Sequence, residues 1–460
     1  MIADSTELNL HLRLVSLLGI GVLIFLAWLI SSNRRQVPWR VVVGGLLLQF
    51  TFAAIVFGFR TWTVSEAHPE GVLFSAINWF FDRIQEYVSA GTGFLTNVRW
   101  VSDPQMSPSS SEVLATTFLF GVLPTVIFFS ALMSGLYYLR IMQPIVRSMA
   151  WVMQRTLGIS GPESLAAAAN VFIGHTEAPL VVKPYINAMT RSELNCLMVG
   201  GFATITGGLM AVFVSMGINA GHLLTASVIS APAAILIAKI LQPEQADASL
   251  QKSLELVDAS DAVNLIDAVA TGAADGMKLA INIAGMLLAF LALIAMGNAM
   301  FAGLGEIVES IWNRFAAAPI DLQWSLEGFL GVLFWPIAFM MGIESGDCQS
   351  AGRLLGIKMV ANEFVAYEQF ARIMATDTLL SGEAALAGET AGTQLSVRTS
   401  TILTYALCGF SNFGAIAIQI GGIGGLAPER RADLARLGLR AMVGGAIACC
   451  ITGCVAGILL

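Results

Sequence analysis

The chain carries eight apolar runs of the kind that cross a bilayer core of ~30 Å, which takes about 20 helical residues each. They lie near Val15–Ile30, Val41–Phe57, Leu114–Leu139, Leu194–Met216, His222–Leu241, Leu279–Phe301, Thr401–Ile423 and Ala441–Leu460. In lipid every backbone N–H and C=O must find its partner inside the protein, so such runs fold as helices. Composition points the same way. Hydrophobic residues make up 56% and charged residues 12% of 460, against about 45–50% and 25% in soluble proteins. That is too little charge to coat several soluble domains. The net charge of −7, with no basic tract, excludes nucleic acid as a partner. The expected fold is an all-α polytopic membrane protein.

Orientation follows from where short loops concentrate Lys and Arg. Arg34, Arg35 and Arg40 follow the first run; Arg140, Arg147 and Arg155 follow the third; Lys239 closes the fifth; Arg430, Arg431, Arg436 and Arg440 precede the eighth. The alternate loops carry acids: Glu66, Glu70 and Glu112 in one, Asp377, Glu383 and Glu389 in another. Eight spans with both termini outside satisfy these loops, with Arg60, Arg83 and Arg99 as exceptions in a long outer segment. Asp4 and Glu7 make a poor signal-peptide start, so the first span is expected to stay as an anchor.

Two segments read as helices lying in the interface. One sets Leu73, Ala76, Ile77, Phe80, Phe81, Ile84 and Val88 against Ser75, Asn78, Asp82, Gln85 and Glu86; the other sets Ile145, Met149, Val152 and Met153 against Arg147, Ser148, Gln154 and Arg155. Gln242 to Asp261 is polar and acidic, an expected cytoplasmic linker. Cys196, Cys348, Cys408, Cys449, Cys450 and Cys454 show neither CxxC pairing nor a His-rich partner segment, so they read as apolar packing groups and not as disulfides or zinc ligands.

The stretch Gly161–Tyr185 has the length of a span, yet Arg147 and Arg155 stand on one side and Lys183 and Arg191 on the other. A simple crossing would put one pair outside. Gly174 and Pro179 interrupt it, and Pro162 to Phe172 reaches roughly 16 Å as helix. A re-entrant hairpin with its tip near the midplane satisfies both facts. LGISGPESLAAAANVFIGHTEAP can be laid beside MGIESGDCQSAGRLLGIKMVANEFVAYEQFA, with Asn170-x-Phe172 echoing Asn362-x-Phe364. Each is followed by a span with small and polar residues in its middle, GGFATITGG (Gly200–Gly208) and CGFSNFGAIAI (Cys408–Ile418). One hairpin from each face, each followed by a broken helix, is the pattern of an inverted-repeat secondary transporter.

Glu177 and Glu363 fall at the two hairpin tips, where an acid costs on the order of 3 kcal/mol on insertion scales. Either they cap exposed backbone N–H groups or they serve as charged acceptors for ligand hydroxyls and ring N–H groups. Two such acids at corresponding tips favour the ligand. Asn170, Thr204 and Asn412 are oxygen donors beside broken backbone, and the carbonyls of Ile173 and Ile205 could join them around Na⁺; interhelical hydrogen bonding is the other reading. His175 can donate and accept, suiting a ring-shaped polar ligand, or carry a proton. Its HTE context is similar to the H-x-E of zinc deaminases, whose P-C-x-x-C partner is absent here. Asn264, Asn298, Trp335 and the other histidines read as packing or interface groups.

At GHTEAPLVVKPYINAMTRSEL, GGFATITGG, ASVISAPAAILIAK, ANEFVAY and CGFSNFGAIAIQIGG the chain resembles the concentrative nucleoside transporter family, from about Val15 to its end, and among its members the shorter bacterial ones. The resemblance implies eight spans and two opposed hairpins per protomer, a homotrimer, and nucleoside import (uridine, adenosine or similar) driven by Na⁺, or by protons in some members, through an elevator-like motion in the cell inner membrane. By motif, Gly174, His175, Thr176 and Glu177 would face the nucleobase, with Leu209 packed against it. Glu363, Asn412 and Ala415 would face the ribose beside Phe410. Na⁺ would sit among the Asn170 side chain, the Thr204 hydroxyl and the carbonyls of Ile173 and Ile205. Thr204 stands where serine is common. His175 replaces a usual glutamine, Ala415 replaces a usual serine, and GIESGDCQS departs from familiar members.

The expected organisation is an N-terminal part (1–113) of scaffold spans and interfacial helix, a first repeat (114–241), a linker with an amphipathic helix (242–278) and a second repeat (279–460). The expected function is Na⁺–nucleoside symport with no cofactor besides the coupling ion; proton-coupled symport with altered base or sugar preference is the alternative. An intramembrane enzyme built on His175 and Glu177 lacks a nucleophile or metal triad. A passive channel sits poorly with a closed midplane site.

Overall fold

The computed structural model describes residues 2–62, 71–96, 123–175, 177–244, 262–315, 325–374 and 395–460, and among them every regular element is helical. Helices α1 (Ile2–Leu29), α2 (Trp39–Trp62) and α3 (Val72–Thr96) come first. Next, α4 (Leu123–Tyr138) turns by 80° into α5 (Met142–Leu157). Then come α6 (Gly161–Asn170), the short turns α7 (Ala178–Val181) and α8 (Lys183–Ile186), α9 (Arg191–Ala203), α10 (Gly207–Ser215) and α11 (Ala220–Leu241). The second half holds α12 (Leu265–Phe315), α13 (Leu326–Met340), α14 (Cys348–Val360), α15 (363–374), α16 (Val397–Leu407), α17 (Phe413–Leu426) and α18 (Arg431–Leu459).

Among the described residues six helical stretches are long and apolar enough to cross a membrane: Leu10–Leu29, Trp39–Gly58, Arg191–Ser215, Ala220–Leu241, Leu265–Ile311 and Pro428–Leu459. They divide into two environments. Almost every residue of α11 is buried in the bundle. By contrast α1, α2 and α12 leave Leu18 70%, Leu47 63% and Leu288 76% exposed, a surface suited to lipid tails.

Lipid supplies no hydrophobic drive between helices, so close van der Waals packing over small residues holds them together. Ala268, Gly272, Gly276 and Ala280 repeat every fourth residue on α12. A Cβ at Gly272 would fall 2.7 Å from the Ser130 carbonyl oxygen, and one at Gly276 would fall 2.7 Å from Ile127 Cα. The backbones of α4 and α12 therefore meet directly. On the other side of the bundle Gly445 lets α18 approach α9, where a Cβ would fall 2.4 Å from that of Phe202.

Caps set the breaks. Ser160 and Thr190 open α6 and α9 with reciprocal capping boxes to Glu163 and Glu193, each satisfying two orphan donors. Asn219, Ser325, Ser396 and Asn412 cap α11, α13, α16 and α17. Gly158 (φ +70°) and Gly342 (φ +79°) sit just past the ends of α5 and α13, in the left-handed region where a Cβ is costly.

Several expectations need correction. The buried face of α3 is carried by Phe74, Phe81, Ile84 and Val88, while Leu73 and Phe80 point outward. On α5 the buried stripe is Met142, Val146, Ala150, Met153 and Leu157, and Ile145 is exposed. In both cases apolar residues flank the true seam on either side, which blurs the period. Helix α13 was not anticipated, because its 15 residues fall short of a span. Positions 114–122, 245–261 and the acidic outer residues Glu66, Glu70, Glu112, Asp377, Glu383 and Glu389 lie outside the described residues. Arg99 does too. All six cysteines are buried and unbonded to one another.

Candidate functional site

Four breaks in helical backbone converge on one cavity of about 1260 Å³. The first follows α6, whose last residue is Asn170, and runs from Val171 to Glu177. The second is Thr204 to Thr206, between α9 and α10; Thr204 is extended (φ −121°, ψ +164°), and Thr206 caps the next half-helix at the Leu209 N–H, 3.1 Å. These two breaks are stitched together by the Gly207 N–H donating to the Phe172 carbonyl at 3.2 Å. The third break, Ala361–Asn362, separates α14 from α15, and the Asn362 side chain caps α15 at the Val365 N–H, 2.8 Å. The fourth, Cys408–Asn412, separates α16 from α17.

The cavity wall includes Gly174, His175, Glu177, Leu209, Glu363, Phe410, Asn412 and Ala415. These are all the expected substrate residues except Thr176, which lies outside the described residues. Glu177 is open to the cavity, and Glu363 is buried at its wall. Asn412 Nδ2 donates to Glu363 Oε2 at 3.0 Å, and its Oδ1 accepts from the Ala415 N–H at 2.8 Å. The amide orientation is thereby set by two partners of opposite kind. The His175 ring stands edge-on to Phe410, centroids 4.3 Å apart and planes at 63°, an arrangement aromatic quadrupoles favour. The opposite wall is the packed pair α4 and α12, which contributes Tyr137, Asp275 and Lys278. These three went unnoticed at the sequence level because nothing local distinguishes them from solvated helix faces.

The expected ion ligands lie just behind the first two breaks. Asn170 is 1% exposed and its Oδ1 has no hydrogen-bond partner among the described residues. A buried amide oxygen left so costs free energy, and a cation satisfies it. The Thr204 hydroxyl, also buried, donates to the Gly200 carbonyl at 2.9 Å, which leaves its oxygen lone pairs to accept. A Cβ at Gly200 would fall 3.2 Å from Asn170 Nδ2, so this glycine lets α9 approach the Asn170 side chain. An all-oxygen set of this kind suits a hard cation such as Na⁺. Among the described residues no group of three His, Cys, Asp or Glu side chains could hold a softer metal.

Behind the cavity, the base of α6 is pinned. Glu163 and Lys239 form a buried ion pair, and Lys239 Nζ also reaches Glu244 at 2.9 Å and Ser192 Oγ at 3.0 Å. In the sequence Lys239 marks only the orientation of a span, and Glu163 carries no mark of its own. A serine-proline-glutamate helix start was the available signal, but its lysine lies far along the chain. The groups read as packing or interface residues take such places: Asn298 Oδ1 accepts from the Leu326 N–H at 2.9 Å, Trp335 stacks on Phe339, and His222 Nδ1 lies 3.1 Å from the Tyr405 hydroxyl.

A helical membrane protein whose broken helices meet at a mainly apolar cavity with a few polar groups has the architecture of secondary transporters. Three family models match successive parts of the chain: Na⁺ dependent nucleoside transporter N-terminus over residues 18–98, nucleoside recognition (gate) over 119–220, and Na⁺ dependent nucleoside transporter C-terminus over 222–457. The chain belongs to the Na⁺ dependent nucleoside transporter family and is a multi-pass membrane protein. It is 39% identical over 449 residues to an uncharacterized transporter of Haemophilus influenzae, covering 97% of this chain and 98% of that one. It is also 39% identical to sodium/nucleoside cotransporter 1 of Rattus norvegicus over 97% of its own length, and spans 64% of that relative. Its fold is similar to that of CNTnw in an inward-facing substrate-bound state, with a TM-score of 0.81 and 36% identity over 97% of this chain and 98% of that chain. A CNTnw variant in an outward-facing state matches with the same TM-score of 0.81.

Proposed function

We propose that the protein is a Na⁺–nucleoside symporter of the cell inner membrane. The observation that carries this reading is the meeting of Glu177, Glu363 and Asn412 around one cavity, with the unpartnered Asn170 oxygen behind it. Glu177 and His175, with Gly174, Thr176 and Leu209, take the nucleobase; Glu363 and Asn412, beside Phe410 and Ala415, take the ribose. Na⁺, the coupling ion of the family, binds at Asn170, Thr204 and the carbonyls of Ile173 and Ile205, and orders the first tip before substrate enters. Inward Na⁺ movement adds ~2.3 kcal/mol per charge per 100 mV of membrane potential.

In this reading the chain makes eight spans with both termini outside, and α6–α7 and α14–α15 are re-entrant hairpins from opposite faces in an inverted repeat. The left-handed glycines Gly158 and Gly342 at equivalent places before the two hairpins support the repeat. Alternating access is elevator-like: the hairpins and broken helices move as a unit along the α4–α12 wall. The protomers form a homotrimer, and the parts 1–113, 114–241, 242–278 and 279–460 keep the roles of scaffold, first repeat, linker and second repeat.

Uptake of radiolabelled uridine and adenosine into liposomes, with and without a Na⁺ gradient, tests this. Accumulation driven by Na⁺ is expected. Uptake indifferent to Na⁺ and driven by a pH gradient would establish the proton-coupled alternative. Chromatography of the recovered nucleoside checks that it crosses unchanged, as a transporter and not an enzyme requires.

A further inference from the structure

Three polar atoms in the core behind the nucleobase subsite have their hydrogen bonds unmade. His175 is 8% exposed, and neither ring nitrogen has a partner among the described residues. Gln419, on α17 one turn beyond Ala415, is 1% exposed. Its Nε2 donates to the Met198 carbonyl at 3.2 Å, while its Oε1 has no partner among the described residues. What brings the two side chains together is Gly201: a Cβ at that position would fall 2.7 Å from His175 Cβ and 2.7 Å from Gln419 Nε2. The space a side chain would fill on α9 is instead where hairpin and broken helix touch.

A buried amide oxygen and a buried imidazole that both lack partners complement each other: one accepts and the other carries an N–H. The tautomer of a histidine is set by the hydrogen bond its inner nitrogen makes. We propose that Gln419 is the positioning residue of the nucleobase subsite, its Oε1 accepting the N–H of one His175 nitrogen so that the other is presented to the cavity as an acceptor. The ligand class follows: nucleosides whose base turns an N–H or NH₂ donor toward the first hairpin tip, such as the N3–H of uridine. A base with a methyl group in place of that hydrogen leaves the imidazole lone pair buried and unpaired, and sites built to hydrogen-bond reject such analogues strongly. This proposal rests on the reading of the cavity as a nucleoside site. A tie between α17 and α9 through Met198 alone would leave Oε1 and both imidazole nitrogens unexplained.

The test is Na⁺-driven uptake of uridine and 3-methyluridine in liposomes. The unmodified protein is expected to prefer uridine by about tenfold or more; equal uptake of the two overturns the proposal without any variant. Gln419→Met keeps the volume and removes the acceptor, and is expected to cut that preference about fivefold. In a His175→Gln background the same change is expected to leave the preference where His175→Gln alone puts it. An equal loss for both nucleosides in Gln419→Met marks a structural role and overturns the proposal, as does an identical shift in both backgrounds. Absence of Na⁺-driven uptake of any nucleoside by the unmodified protein overturns instead the transport reading beneath it.

Discussion

Asn412 holds Glu363 at 3.0 Å through its amide nitrogen while its amide oxygen caps α17 at 2.8 Å. One side chain thus ties the acid that opens α15 to the start of a half-helix in another element. The amide's donor and acceptor ends are both engaged, each with its own partner. This end of the cavity is therefore built before any ligand arrives, which lowers the ordering cost of binding.

Glu363→Gln keeps the shape and removes the charge. Charge-assisted hydrogen bonds contribute about 2–3 kcal/mol, so uridine uptake in liposomes should fall roughly 30- to 150-fold, with insertion into the membrane unchanged. Near-normal uptake would remove the ribose role.

Asn412 separates its two duties by substitution. Asn412→Ser retains a capping oxygen and loses the donor to Glu363, whereas Asn412→Ala loses both; a lost cap costs about 0.5–2 kcal/mol. The serine variant should keep its apparent Tm in detergent while losing uptake, and the alanine variant should lose both. Equal Tm values for the two variants would show that the cap contributes nothing.

At the proposed ion site, Asn170→Ala and Thr204→Ala each delete an oxygen, while Thr204→Ser preserves it. The half-saturating Na⁺ concentration for uridine uptake should rise about tenfold in the alanine variants, equivalent to ~1.4 kcal/mol, and change little in Thr204→Ser. A Na⁺ dependence indifferent to all three would move the ion elsewhere.

The Lys239–Glu163 pair is buried from water. Lys239→Met strands a carboxylate among apolar groups, a loss of about 3–5 kcal/mol for a broken buried pair, and should lower the apparent Tm in detergent by several degrees. Glu163→Gln added to it should recover part of the loss. If the double variant is no more stable than the single one, the pair is not what anchors α6.

Much of the site could be read along the chain because its determinants are local. Pro162, Gly174 with Pro179, and the small residues of Gly200–Gly208 and Cys408–Ile418 each dictate where a helix starts or stops, whatever surrounds them. An acid inside an apolar run is conspicuous for the same reason, so Glu177 and Glu363 stand out in the sequence. The buried faces of α3 and α5 were misjudged, with Phe74 and Val146 passed over, because residues on both sides of those seams are apolar. Each helix has a polar face that reveals its period, but its apolar face is wider than the seam it packs.

By itself, then, the order of residues determined that the chain lives in a bilayer, where its helices break and which acids and amides sit at the breaks, since these depend on hydropathy, capping and backbone freedom within a few residues. Only the tertiary structure decided that four breaks share one cavity, that Lys239 answers Glu163, and that Gln419 and His175 both lie against the bare backbone of Gly201. Those relations join residues from distant parts of the chain, and nothing acts between them until helix packing closes the distance.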